Sequence, residues 1–141
     1  MNTQKGRLLV VIAAIAVAIT VPQISAQSQH LSGVVPFDFY IGEQLFPAGE
    51  YVIAPQTGNA NAIRVYDNRG NSAFVMTMSL TQNRSINANR LVFRRYGTTN
   101  FLTGIYWQGY PAGRDLVASK TERQIAQNNS SPSTPVAVKL K

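Results

Sequence analysis

The chain has 141 residues, 13 of them Lys or Arg against six Asp or Glu, with one His and no Cys. This length suits a single domain. The missing Cys excludes disulfides and thiolate-bound zinc, the single His weighs against histidine-based catalysis, and charged residues at 13% are too sparse for a dense basic patch.

Residues 1–26 read as a secretory signal peptide. Lys5 and Arg7 give a positive start, Leu8 to Val21 is apolar apart from Thr20, and Pro22 to Ala26 ends on a small residue. The apolar run is shorter than the roughly 20 residues that a membrane span needs. The expectation is cleavage after Ala26, no transmembrane span in the mature chain, and a periplasmic or extracellular location. Losing Lys5 and Arg7 leaves 11 basic against six acidic residues, a net charge of +5. Export argues against nucleic acid as a partner and toward an anionic envelope polymer or an envelope protein.

Gln27 to Ser32 is polar and reads as a flexible lead-in. From Gly33 the pattern has period two, with Val35, Phe37, Phe39 and Ile41 on one face of a strand and Pro36 marking an edge or an end. Leu45 to Gly49 reads as a turn set by Pro47 and Gly49. Glu50 to Ala54 and Ala62 to Tyr66 are strands, and Asp67 to Asn71 is a strong turn signal. Ala73 to Leu80 places Phe74, Met76, Met78 and Leu80 on one face, opposite Ala73, Val75, Thr77 and Ser79.

Thr81 to Asn89 is a polar loop. Arg90 to Tyr96 and Phe101 to Trp107 form a hairpin through Gly97 to Asn100. On simple alternation Phe101, Ile105 and Trp107 face the core, and Leu102 and Tyr106 face outward. Asp115 to Ala118 adds a short strand. Ser119 followed by Glu122 fits a capping box, so Lys120 to Gln127 is expected to form a short helix docked through Ile125. The Asn, Ser, Pro and Thr residues from Asn128 onward read as a disordered tail, 128–141. The fold expected for residues 33–127 is all-β: a small antiparallel β-sandwich or open barrel of six or seven strands with a short C-terminal helix.

Catalytic ingredients are scarce. His30 lies in the lead-in, and the six carboxylates, Asp38, Glu43, Glu50, Asp67, Asp115 and Glu122, show no metal-ligand spacing. Glu43 and Glu50 flank the Pro47 turn and are the one pair that a hydrolase could use. No glycine loop with a following helix cradles a phosphate. The chain is therefore read as a non-enzyme with no metal and no cofactor.

Two features point to binding. Tyr96, Phe101, Tyr106, Trp107 and Tyr110 fall within 15 residues, and exposed aromatic faces stack on sugar rings or protein surfaces. Arg84, Arg90, Arg94, Arg95 and Arg114 could gather near the same hairpin and hold carboxylate or phosphate. Arg94, Arg95, Tyr106 and Tyr110 are the candidate binding residues.

The segments VPFDFYIGEQLFPAGEYVI, LVFRRYGTTNFLTGIYWQG and SKTERQIA resemble a group of small exported bacterial β-proteins. Their shared layout is a VPFDF strand, a PAG-x-Y turn, an F-x-x-Y-G hairpin and a Ser-x-x-Glu-Arg segment. The resemblance spans residues 33–127 and implies a layout and not a function, since the group has no assigned catalytic residues. The functional expectation is an exported β-domain that binds or packs against an envelope component, whether anionic polymer, glycan or protein. The alternatives are a barrel holding a small apolar ligand in a cavity lined by Phe and Met, and a hydrolase using Glu43 and Glu50.

Overall fold

The computed structural model describes residues 30–81, 87–110, 112–129 and 133–141. The signal peptide read over residues 1–26 lies outside the described residues, as do residues 27–29 of the lead-in and Arg84. Among the described residues no helix is long and apolar enough to cross a membrane.

The protein is all-β with one short helix. The strands are β1 (Leu31–Val35), β2 (Phe39–Ile41), β3 (Gln44–Phe46), β4 (Gly49–Gln56), β5 (Asn59–Tyr66), β6 (Ser72–Thr81), β7 (Arg90–Tyr96), β8 (Thr99–Tyr106), β9 (Ala112–Leu116) and β10 (Thr134–Lys139). The helix α1 (Lys120–Asn128) precedes β10. Neighbours run in the order β1-β4-β5-β6-β9-β8, and β8 also pairs with β7, which pairs with β10. All of these contacts are antiparallel; the short β2 joins β8 in parallel and carries β3 on its other side. The sheet is open. Its ends approach where the Ser32 and Lys141 backbones exchange hydrogen bonds of 3.3 and 2.9 Å.

β6 divides its ladder. Ser72–Met76 pairs with β5, and Thr77–Thr81 pairs with β9. At the handover the Thr77 hydroxyl donates to the Asn61 carbonyl at 2.9 Å, occupying the place where a further ladder bond with β5 would form. On the other side, the chain leaving β9 at Leu116 turns away to cap α1 at Ser119.

The interior is built on aromatic rings. Phe39 meets Phe46, Tyr51 and Phe93 at ring-centroid distances of 5.7, 5.2 and 5.3 Å. Val35, Ile53, Ile63, Val65, Leu91, Leu102 and Ile105 complete this core. A chain without disulfides depends on such burial, at about 25 cal/mol per Å² of apolar surface.

The strands outnumber the six or seven expected, for three reasons. Pro36 to Asp38 splits the VPFDF run into β1 and β2, Gln44–Phe46 pairs with β2 before the Pro47 turn, and the tail contributes β10. The lead-in also ends sooner, because β1 begins at Leu31. The tail expectation is corrected: Asn128 belongs to α1, and Thr134–Lys139 pairs with Arg90 to Arg95. Val136, Val138 and Leu140 pack against the core while Pro135, Ala137 and Lys139 stay exposed. This period-two pattern outweighs the polar composition on which disorder was read.

The hairpin alternation is also corrected. The β7–β8 register shifts between Val92 and Phe93, and a bulge of this kind reverses the facing of the residues beyond it. Leu102 therefore joins Ile105 and Trp107 in the core. Phe101 is buried on the other face against Tyr40 and Tyr96. The connection itself is tighter than expected, with Gly97 at φ +60° opening a two-residue turn.

Phe39→Ala is expected to cost about 3–5 kcal/mol, the range for emptying a fully buried aromatic site. Phe37 is only half-buried, edge-on to Phe93 at 5.1 Å, so Phe37→Ala should cost about 1–3 kcal/mol. Denaturant unfolding of the two variants measures the order.

Candidate functional site

The divided ladder leaves a gap between the start of β5 and the end of β6. It opens into a cleft of about 290 Å³ lined by Pro55, Ala60, Ile63, Ser79, Trp107, Tyr110, Ala112 and Arg114. In an antiparallel sheet the end of β4, the start of β5, the end of β6, the end of β8 and the start of β9 lie together, so the cleft sits at one mouth of the open sheet. Mouths of this kind are frequent ligand sites.

Trp107 and Ile63, both buried, form its floor. Tyr110 stands at its rim, 43% exposed, with its backbone N–H donating to the Trp107 carbonyl at 3.3 Å. Arg114 spans the gap: its Nη1 donates to Asn61 Oδ1 at 3.0 Å and to Ser79 Oγ at 2.7 Å. Both acceptors are neutral. Among the described residues the ion pairs are Arg69–Asp67 and Arg94–Glu122, and Arg114 belongs to neither. The result is a cation fixed in place beside an aromatic rim and an apolar floor. It can pair with a carboxylate or phosphate while a ring or an alkyl face lies on Tyr110.

The structure distributes the four candidate binding residues. Tyr110 lines the mouth. Arg94 and Tyr106 line a separate polar hollow of about 170 Å³ between β7, β8, β9 and α1. Arg94 donates to the nearly buried Glu122 at 3.4 Å, and the Tyr96 hydroxyl donates to the same carboxylate oxygen at 3.3 Å. Desolvation opposes the Arg94 charge, but Tyr96 and Glu122 outweigh it and raise its pKa. Arg95 turns to the opposite face, donating to Asn100 Oδ1 at 2.7 Å with its guanidinium 5.3 Å from the centre of the Phe37 ring.

Tyr106 takes the outward side of β8, yet it is buried. Its ring lies across Gly104 and Gly113, where any Cβ would collide with it. Arg90 covers the ring at 4.9 Å, and the hydroxyl donates to Asp115 at 3.3 Å. Burial, then the Asp115 charge, raises the Tyr106 pKa. The two glycines thus provide the space in which this tyrosine packs. The expected basic cluster does not form among the described residues: Arg90, Arg94, Arg95 and Arg114 each engage different groups.

Glu43 and Glu50 have different neighbours: Glu50 borders a hollow with Val52, Tyr66, Asp67 and Asn68. Glu43 reaches the first turn of α1, where it accepts hydrogen bonds from the Thr121 backbone N–H at 3.2 Å and from the Thr121 hydroxyl. Ser119 caps the same turn, its hydroxyl accepting from the Glu122 N–H at 3.0 Å. The capping box is only half formed, because the Glu122 carboxylate is turned to Arg94 and Tyr96. Among the described residues no group of His, Asp and Glu is arranged to hold a metal. On β6, Phe74, Met76 and Met78 face outward, 66, 62 and 56% exposed. Asn61, Ser79 and Pro55 were not singled out from the sequence, because their role depends on where β5 leaves β6.

The chain matches no family model, no curated protein and no solved structure.

The Glu43 contact makes a pH prediction. Hydrogen bonds from Thr121 hold its pKa below the ordinary 4.5. A carboxylate lowered in the folded state stabilises above its unfolded pKa and loses that contribution as pH falls through the folded one. Glu43→Gln should therefore lower the unfolding midpoint at neutral pH, and the difference from the parent should shrink below pH 4.5. Thermal unfolding of both proteins across this range measures it.

Proposed function

We propose that the chain is an exported, non-enzymatic β-domain that binds an acidic glycan of the cell envelope in the mouth cleft. The observation that carries this reading is Arg114, fixed by two neutral acceptors between the Tyr110 rim and the Trp107 floor. An acidic sugar offers both complementary elements, a ring face for Tyr110 and a carboxylate for the guanidinium. The net positive charge and the signal-like N-terminus agree with an anionic partner outside the cytoplasm. The Glu43 contacts at the start of α1 support the non-enzymatic reading. The apolar floor also suits a small apolar acid, which would occupy the same cleft.

Sedimentation of the purified protein with isolated envelope fractions, at low and high salt, tests the proposal. The expected result is pelleting that weakens as salt screens the charge. Arg114→Gln should cost about 1.5–3 kcal/mol of binding, the worth of a charged hydrogen bond, and flatten the salt dependence. Tyr110→Ala should weaken binding by about 0.5–1.5 kcal/mol without changing that slope. Wild-type protein that stays in the supernatant at both salt concentrations contradicts the proposal. Pelleting displaced by a fatty acid but not by an acidic saccharide assigns the cleft to the apolar acid instead.

A further inference from the structure

Two of the three methionines in the chain, Met76 and Met78, lie two residues apart on β6, and both are exposed. Thr77 between them is buried, so the two thioethers share the outer face of the sheet. Their Cα atoms are about 6.6 Å apart, two strand rises. Methionine at such positions leaves apolar surface in water, and it is not among the residues that strands favour. Packing does not account for the pair, because neither side chain belongs to the core or to the residues packed against it.

The register brings in a third donor. Met78 is directly opposite Asp115 on β9. Directly opposed side chains of an antiparallel pair share a face, with Cβ atoms about 4.5–5.5 Å apart. Asp115 accepts the Tyr106 hydroxyl through Oδ1 at 3.3 Å, and its Oδ2 has no hydrogen-bond partner among the described residues. Met76 is opposite Ala62 on β5, whose small side chain leaves the flexible thioether room to lean toward Met78. Arg64 on β5 is held away from Met76: its Nε donates to Ser72 Oγ at 3.2 Å, and its guanidinium lies 4.8 Å from the centre of the Tyr66 ring.

We propose that Met76, Met78 and Asp115 form a binding site for a soft monovalent cation, Cu(I). Donor chemistry selects this occupant. Thioether sulfur is soft and neutral and suits Cu(I), whereas magnesium and calcium take oxygen ligands and zinc takes thiolate or imidazole. The chain has no Cys and a single His, so no thiolate competes for a soft ion. Asp115 supplies one negative charge against the single positive charge of the ion. A metal site read only from Cys, His and carboxylate spacing passes over this arrangement. The site lies on the outer face of β6 and does not depend on the mouth cleft, which Ser79 lines from the opposite face.

The test uses the full chain with carbon-13-labelled methionine methyl groups, titrated with silver nitrate in chloride-free buffer, Ag(I) being an air-stable stand-in for Cu(I). The Met1 methyl reports a single thioether in the same sample. The expected result is that the Met76 and Met78 signals move together and saturate at one equivalent. Their affinity should exceed that of Met1 by about tenfold or more, because two linked donors act as a chelate. Met76→Leu and Met78→Leu should each lose that advantage while keeping the parent's thermal midpoint, since Leu conserves the volume. Asp115→Asn should weaken binding and leave the joint movement of the two methyls in place. Cu(I), kept reduced by ascorbate under nitrogen, should shift the same two signals. Three methyls that titrate alike, each as an isolated thioether, overturn the proposal, as do Met76 and Met78 signals that Cu(I) leaves unmoved. Equal shifts with zinc or magnesium overturn the soft-ion assignment. Undiminished binding in a Met76→Leu, Met78→Leu double variant places the ion elsewhere and overturns it as well.

Discussion

The handover within β6 is the constraint on which the rest of the molecule depends. One strand serves two neighbours in turn, β5 through Met76 and β9 from Thr77. Each side of the handover has its own physical cause. On the β5 side, the Thr77 hydroxyl takes the Asn61 carbonyl, and the β4–β5 register shifts between Pro55 and Gln56, so the start of β5 follows β4 away from β6. On the β9 side, the helix start is held by the Ser119 cap and by Glu43. The two departures open two gaps, one at the mouth of the sheet and one beside Phe74 and Met76. The proposed binding cleft follows from the first of them.

What holds this arrangement together is packing and local hydrogen bonding, since the chain has no Cys. The Phe39 cluster fills the interior, and turn chemistry fixes its approaches. Asp67 accepts from the backbone N–H groups of Arg69 and Asn71 at 2.9 and 2.8 Å. Burial alone would raise its pKa, but the hydrogen bonds from Asn71 and Arg69 lower it. Arg69 then reaches the Ala48 carbonyl at 3.2 Å, and the Tyr51 hydroxyl donates to the Pro47 carbonyl at 2.6 Å. The β5–β6 turn and the Pro47 turn are thereby locked to one another, which fixes the level at which β6 enters the sheet.

The all-β class, the helix after Ser119 and the inward face of Val35, Phe39 and Ile41 were legible from periodicity and capping signals, which are local. What was not legible depended on partners distant in sequence. The VVPFDFYI pattern is continuous to the eye, yet its two halves pair with β4 and β8 separately. β10 exists because the edge of β7 is there to receive Val136 and Val138. β6 shows a second limit. Its larger apolar side chains lie on the outer face and its smaller ones on the inner, so hydrophobicity alone assigns the faces backward. In the candidate site Tyr110 was legible as a loop aromatic. Arg114 was visible only as one of five arginines, because the neutrality of Asn61 and Ser79 matters only once they face it.

The divided ladder is most directly measured by residue-resolved amide hydrogen exchange along β6 in the protein without ligand. In each half, only amides directed at the existing neighbour should be protected. Alternate residues should therefore exchange slowly, with the alternation changing phase between Met76 and Thr77. Uniform protection of every amide from Ser72 to Leu80 would mean continuous neighbours on both sides, no gap at the mouth and no free edge, and would contradict the account.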